Sequence, residues 1–364
     1  MSVLFVLLVL VALAVARPDL EQRVAAFNEW LLPKLPPKTN ALRVFVHPEL
    51  RVGAQATRDI GPEEVYNDTP YIISRSTAMA SSLRPLLDEL ESNGRRRMDF
   101  EVLLLFIVQE RRLGAKSAWA PYLDLLPESY AHVPVNFDDA TLRELQVSAV
   151  LPAIRSLIAS ERHTYNELST RLGQLSAASA ALLGAPLSQA EYTWAAGVLN
   201  SRRIWFNNEG HLIPLLDAVN CRSVGASRPH RTEPARSGDG CTTRSARAFK
   251  AGDEVFEDYG QPNHIYFRFH GFTLDENPHD CVLVPDPRRP TLQRCVKSVQ
   301  QLAGWGMTRS DLANRLAAYS TTIKQDQALL ETTTDENLVA VIRFRISEKK
   351  ILASLTAAHG SDEL

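Results

Sequence analysis

The chain has 364 residues, 45% of them hydrophobic and 23% charged, with a formal net charge of -2. That balance belongs to a globular protein of two or three domains with a sizeable core, and it excludes a chain dominated by disorder. The near-zero charge also excludes a whole-molecule field that would gather nucleic acid or an anionic membrane surface.

The first segment, MSVLFVLLVLVALAVARP, carries no charge until Arg17. Its apolar run from Val3 to Val15 is shorter than the roughly 20 residues of a membrane span, and it ends in Ala14-Val15-Ala16, a small-x-small cleavage pattern. Residues 1–16 are therefore expected to be a secretory signal peptide whose removal leaves no integral membrane segment. A signal anchor is the competing reading, because the basic residues that open most leaders are missing. From Glu21 to Leu32 apolar residues recur at helical spacing, and PKLPPK stops that helix. Residues 42–75 read as β structure, with alternation from Val65 to Tyr71 and with Gly53 and Gly61-Pro62 as breakers.

Residues 76–195 change character. Long Leu- and Ala-rich runs of helical period dominate, such as FEVLLLFIVQERRLG and LQVSAVLPAIRSLIASERHTYNELSTRL. Strand signals return in HLIPLLDAVN and in GCTTRSARAFKAGDEVFEDYG. Between them, Arg222 to Gly240 reads as a loop rich in Ser, Gly, Pro and Arg. It is either a solvated surface loop or a basic lip that receives an acidic partner. From about Thr291 to the end the pattern is helical. Leu312, Leu316, Tyr319 and Ile323 fall on one helix face, and Thr333 to Glu336 reads as a capping box opening the last helix. The expected fold class is α+β, with β elements split by a helical insertion and followed by a helical block.

The last four residues, SDEL, resemble receptor-read retrieval tails. With a leader at the other end they imply residence in the endoplasmic reticulum lumen. Four cysteines, Cys221, Cys241, Cys281 and Cys295, include no CxxC or CxC pair. Zinc sites usually take two ligands from one tight turn, so no metal site is expected. An even count in an oxidising lumen favours disulfides. Cys221–Cys241 with Cys281–Cys295 is the simplest of three connectivities, and four buried free thiols are the alternative.

The stretch AGDEVFEDYGQPNHIYFRFHGF, Ala251 to Phe272, carries the sharpest signal. Gly260 ends a strand and leaves Tyr259 at its tip, ahead of an aromatic-rich helical run. Such a tyrosine is either a core residue with a satisfied hydroxyl or a phenol aimed into a site.

Six segments then line up: GAQATRDIGPEEV, SAWAPYLDLLPESY, LNSRRIWF, LIPLLDAVN, AGDEVFEDYG with HGF, and the pair LAAYSTTIKQDQALLE and AVIRFRISEKKIL. In this order, over residues 25–356, they resemble the split SET domains of the Rubisco large-subunit methyltransferase type. Any one motif is weak, whereas the ordered set is specific. The resemblance implies small SET-type sheets in residues 17–75 and 196–275, a helical insertion in residues 76–195 and a helical substrate-binding domain in residues 276–360. It implies a monomer that transfers methyl groups from S-adenosylmethionine to a lysine, or in some members a histidine, of a protein substrate. A silent SET fold that only binds protein is the rival reading.

By the same resemblance Tyr259 is the catalytic tyrosine and also borders the cofactor. Arg202 would pair with the cofactor carboxylate, with Arg203 beside it a surface charge. Arg51, Val52, Gly53, Asp217, Asn220 and Cys221 would line the cofactor site. His270 and Phe272 would border the substrate, with His270 a packed residue rather than a base. Two positions depart from the family pattern: Arg51 stands where its first close-approach glycine is expected, and Cys221 stands in place of a histidine. A Cys221–Cys241 bond would tie down the Asp217–Asn220 segment in that histidine's place.

Overall fold

The computed structural model describes residues 19–92, 98–223, 229–236, 240–286, 289–304 and 307–357. The expected leader at residues 1–16, the SDEL tail and parts of the Arg222–Gly240 segment lie outside them.

The first helix, Leu20–Leu31, is capped by Asp19, whose carboxylate accepts from the Gln22 amide at 2.8 Å, and it buries Val24, Phe27 and Leu31. Asn28 ties it to strand β1 (Leu42–His47), donating to the Val44 carbonyl at 2.8 Å and accepting from the Val44 amide at 3.0 Å. β1 pairs antiparallel with β2 (Arg51–Ala56), from Leu42 opposite Ala56 to His47 opposite Arg51. Strand β3 (Val65–Thr69) follows. Gly53 lies inside β2 and is not the breaker the sequence suggested. A side chain there would meet the Phe45 ring at 2.8 Å and the Asn220 amide at 3.1 Å, so the glycine is required by packing within the sheet.

Among the described residues the elements between Arg75 and Arg202 are all helices, and the helix Asp99–Leu113 runs through their centre with every residue from Glu101 to Val108 buried. A helix that is apolar nearly all round must lie inside the molecule. It packs on the helix Gln189–Arg202, which delivers the chain back to the sheets.

The remaining SET-like strands are short: β4 (Ile204–Phe206), β5 (Glu209–His211), β6 (Asn220–Cys221), β7 (Arg231–Pro234), β8 (Cys241–Arg244) and β9 (Glu254–Glu257). One sheet has the order β1-β2-β9-β6, antiparallel at β2–β9 and parallel at β6–β9, and a second has the order β3-β8-β7. HLIPLLDAVN, read as a strand, holds only the end of β5, a 3-10 turn at Leu216–Ala218 and the start of β6. The presumed loop Arg222–Gly240 contains β7, which pairs with β8.

The C-terminal region departs from the all-helical expectation. A β-hairpin of β10 (Val282–Asp286) and β11 (Arg289–Val296) opens it, so Thr291 is in a strand and helices resume at Val299. The segment read as one helix is two, Arg309–Ala317 and Ile323–Thr332, and Ile323 starts the second. Thr333 ends that helix by donating to the Leu329 carbonyl at 2.6 Å, while Asp335 caps the last helix, Glu336–Ala357, accepting from the Asn337 amide at 2.9 Å. Proximity along the chain had suggested the wrong capping residue.

Three charged side chains are sealed between these helices. Asp326 accepts from Arg345 at 2.6 and 3.0 Å and from Lys349 at 2.6 Å, with all three side chains at most 1% exposed.

Cys281 and Cys295 form the expected disulfide across β10–β11, with Cα atoms 5.4 Å apart. Cys221 and Cys241 are both free, contrary to expectation. They sit in different sheets: Cys221 pairs with Glu257 of β9, and Cys241 pairs with Thr69 and Pro234. Each backbone is held in its own ladder, which keeps the two thiols on separate walls.

Candidate active site

A capping box of Ser188 and Glu191 opens the helix Gln189–Arg202. Arg112 grips the same Glu191 at 2.7 Å and steadies the helix that ends in Arg202. The Arg202 guanidinium donates to the Asp217 carbonyl at 3.1 Å and lies 3.5 Å from its carboxylate. Asp217 sits in the 3-10 turn just after Leu215, whose φ of 81° places a bulky apolar residue in the left-handed region. Such a conformation costs of order 1–3 kcal/mol and persists only where the surroundings enforce it. The buried hydroxyl of Tyr122 donates to the same Asp217 carboxylate at 2.7 Å. Burial raises the Asp217 carboxyl above its usual value, against the pull of Arg202.

Tyr259 lies two residues past β9, and Gly260, at φ 69°, makes the left-handed turn behind it. Both readings of this tyrosine hold: its hydroxyl donates to the Val219 carbonyl at 2.7 Å, and the residue lines a cavity. Burial, with Cys221 and Glu257 nearby, pushes the phenol above its usual value, so it stays protonated. The helix behind it, Asn263–His270, is pinned by Asp280, which accepts from the Asn263 amide at 3.0 Å and from its side chain at 2.8 Å. Its last turn brings His270 to 5.9 Å from Tyr259, ring centre to ring centre. Tyr266 stacks on Phe272 at 5.0 Å. Burial, helped by Arg202, lowers His270 to about 4, so the ring is neutral, as expected of a packed residue.

The cavity measures about 690 Å³ and brings together Arg202, Asp217, Tyr259 and His270. His230 and Glu257 also line it and were not singled out from the sequence. The Nδ1 atom of His230 accepts or shares a proton with the Tyr66 hydroxyl and lies 3.4 Å from the Glu257 carboxylate. Burial raises Glu257 to about 7 and lowers His230 to about 4. Glu257 can therefore exchange a proton near neutral pH.

The other proposed cofactor residues sit beside this cavity rather than on it. Val52 and Gly53 lie under Asn220, whose amide donates to the Val52 carbonyl at 3.1 Å and to Glu254 at 2.9 Å. The Cys221 thiol is pushed up to about 11 by burial, so it is a packing group rather than a nucleophile. Arg51 adopts φ 71°, the backbone a glycine would take. Its guanidinium donates to the Leu125 and Leu126 carbonyls. The missing glycine is thus replaced in shape, and the side chain is engaged with the helical insertion.

Arg203 is not a free surface charge. It is half-buried on the cavity rim, with its guanidinium 4.7 Å from the Trp205 ring and 5.3 Å from Phe100. Trp205 and its hairpin were legible in one respect: Trp-Phe-Asn-Asn is a hairpin turn signal, and Asn207 and Asn208 take φ 52° and 59°.

Known proteins resemble this chain in sequence and in fold. Residues 274–352 match the family model of the Rubisco LSMT substrate-binding domain. The actin-histidine N-methyltransferases of Canis lupus familiaris and Homo sapiens are each 26% identical over 244 residues, which is 64% of this chain and 40% and 39% of theirs. The chain spans about two fifths of the length of these curated relatives. The crystal structure of the SET domain of LSMT bound to lysine and AdoHcy superposes with a TM-score of 0.71 at 19% identity, covering 93% of this chain and 91% of that one. Rubisco LSMT bound to AdoMet gives 0.67 at 18% identity, covering 92% and 90%. The resemblance read from the sequence and the α+β fold, small sheets split by helices with a mainly helical C-terminal region, are both borne out.

Proposed function

We propose that this SET-fold chain is a protein methyltransferase that uses S-adenosylmethionine and methylates a side-chain nitrogen of a protein. One observation carries the reading: Tyr259, Arg202 and Asp217 converge on one cavity, and the Arg202 Nε is buried with no hydrogen-bond partner among the described residues. A buried guanidinium donor left unpaired is costly, and a carboxylate is the acceptor that best fits its planar fork. S-adenosylmethionine carries such a carboxylate and, when bound, supplies an electrophilic sulfonium methyl group. The neighbouring residues suit it: Asp217 and Tyr122 fix the arginine, and the neutral His270 adds no positive charge near a cationic ligand.

The chain's own work is then positional. With its proton donated to the Val219 carbonyl, the Tyr259 oxygen can accept from an N–H of the methyl-accepting nitrogen, orient it and polarise the site around the methyl group. Burial in the cavity disfavours a charged amine, and Glu257 can take up its proton near neutral pH. Lysine is the target read from the sequence. Histidine is the second reading, supported by the matched actin-histidine methyltransferases. Because Cys221 is free, cofactor affinity alone separates the enzyme from a silent SET-fold protein-binding module. Titration of the purified chain with S-adenosylmethionine is expected to show binding, and Arg202→Ala is expected to weaken it by roughly 1.5–3 kcal/mol, the worth of a charged hydrogen bond. No binding by the parent protein would leave the silent module as the better account.

We also propose residence in the endoplasmic reticulum lumen, from the leader at residues 1–16 and the SDEL tail. No helix among the described residues is long and apolar enough to cross a membrane. Deleting residues 361–364 is expected to send the protein into the medium. Cytosolic or nuclear fluorescence of the intact, internally tagged chain would contradict this location.

A further inference from the structure

Three arginines line the cavity: Arg202, Arg203 and Arg231. Arg202 faces Asp217 at 3.5 Å and Arg231 faces Glu233 at 3.0 Å. Among the described residues no carboxylate pairs with Arg203, and its Nε is buried without a partner. Among the described residues, its guanidinium lies over two aromatic faces, Phe100 and Trp205.

The clasp is built into the local sequence. Arg203 immediately precedes β4, and Trp205 stands opposite Gly210 in the β4–β5 register. A Cβ at Gly210 would lie 2.3 Å from the Arg203 Cδ, so the missing side chain gives the arginine its path across the hairpin. Trp205 is 63% exposed, an unusual position for the largest apolar side chain. A guanidinium held flat by aromatic faces keeps its charge, its planar fork and little rotational freedom. Partial burial without a counter-charge leaves it in deficit, and burial already presses its pKa below the usual value.

We propose that Arg203, clasped by Phe100 and Trp205 at the cavity rim, docks an acidic side chain of the protein substrate next to the residue that receives the methyl group. The carboxylate completes the missing ion pair, and Trp205 covers the adjacent peptide backbone. An exposed aromatic beside a preorganised arginine is the composition of a binding hot spot. This inference rests on the methyltransferase reading and adds the substrate class, an acceptor lysine or histidine with an Asp or Glu close in sequence.

The test uses peptide arrays around a central lysine or histidine, two compared throughout with glutamate or glutamine at the flanking positions, and a third with lysine there for the charge-reversed variant. Methyl incorporation and Trp205 fluorescence are both read, with Trp205→Phe as the fluorescence control. The parent is expected to prefer glutamate-flanked peptides by about tenfold or more in KM, the effect of one charge-assisted hydrogen-bonded pair. Arg203→Met is expected to make the two arrays equal. Arg203→Glu is expected to invert the preference toward lysine-flanked peptides, an outcome that misfolding cannot produce. Gly210→Ala, which displaces the arginine without altering any charge, is expected to reduce the preference. Equal methylation of both arrays by the parent would overturn the docking proposal and leave the methyltransferase reading standing. A preference that survives Arg203→Met would also overturn it. Arg203-dependent binding of glutamate peptides with no methylation and no cofactor binding would uphold the docking site and defeat the methyltransferase reading.

Discussion

Tyr259→Phe is expected to cut turnover by about 10²–10³-fold, the usual cost of removing one preorganised polar group from a reacting centre. The substitution deletes a single oxygen. The hydroxyl donates to the Val219 carbonyl, so its loss removes one hydrogen bond worth about 0.5–1.5 kcal/mol and leaves the ring edge-on to Tyr266 and tilted against His270. Fold and cofactor affinity should therefore survive while the rate falls, which is the pattern of a group acting on the transition state. Steady-state kinetics beside a cofactor titration distinguish the cases. A variant with parental turnover would remove Tyr259 from the chemistry, and one that loses cofactor affinity in step with rate would make it a structural residue.

Asp326→Asn should produce the largest loss of stability, about 3–5 kcal/mol, the cost of breaking a buried ion pair from one side. The substitution removes the buried counter-charge between Arg345 and Lys349, each about 1% exposed, and leaves Arg345 the Glu144 oxygens and Lys349 the Thr321 oxygens. Its hydrogen bonds hold the helix Ile323–Thr332 to the helix Glu336–Ala357. The same carboxyl is held below its usual value, with burial opposed by hydrogen bonds from Arg345 and Lys349. Its contribution is thus present above the ordinary aspartate range near 4 and lost as pH falls through the lower folded value. Chemical denaturation of the parent and variant at neutral pH gives the difference directly. A loss of less than about 1 kcal/mol would show that the two cations find other acceptors or water.

The sequence carried the elements whose signals are local. Tyr259 before Gly260, the helix behind it and the long apolar helix Asp99–Leu113 were all legible, because a left-handed glycine and a continuous apolar run leave direct marks. The Arg202–Asp217 pair came only through family resemblance, since nothing in either residue announces the other across 15 positions. Tyr122 was missed for the same reason: its partner is 95 residues away. Glu257 and His230 look like ordinary polar residues in a strand and a loop, and their role depends on burial that arises when β6, β7 and β9 converge. The cysteine pairing failed at Cys221–Cys241 because spacing measures loop length, whereas the two ladders decide where each sulfur sits. The β10–β11 hairpin was hidden by proline and charge in a region dominated by helical neighbours.

The sheet β1-β2-β9-β6 also dictates a schedule for the ribosome. β2 is finished at Ala56, but its partner β9 starts at Glu254, roughly 200 residues later. At about 5–20 residues per second the hairpin waits some 10–40 s for that partner. Through that interval one edge of β2 is bare, the kind of edge that recruits other strands. The central insertion helices Asp99–Leu113 and Gln189–Arg202 pack on one another and emerge meanwhile, whereas Leu142, Val150 and Ile154 wait for Phe267, Leu283 and Phe344 to complete their cluster. A chain halted before β8 would therefore hold the paired central helices, lack Tyr259 and the C-terminal half of the Phe137–Ile154 cluster, and display an open template to any neighbouring polypeptide.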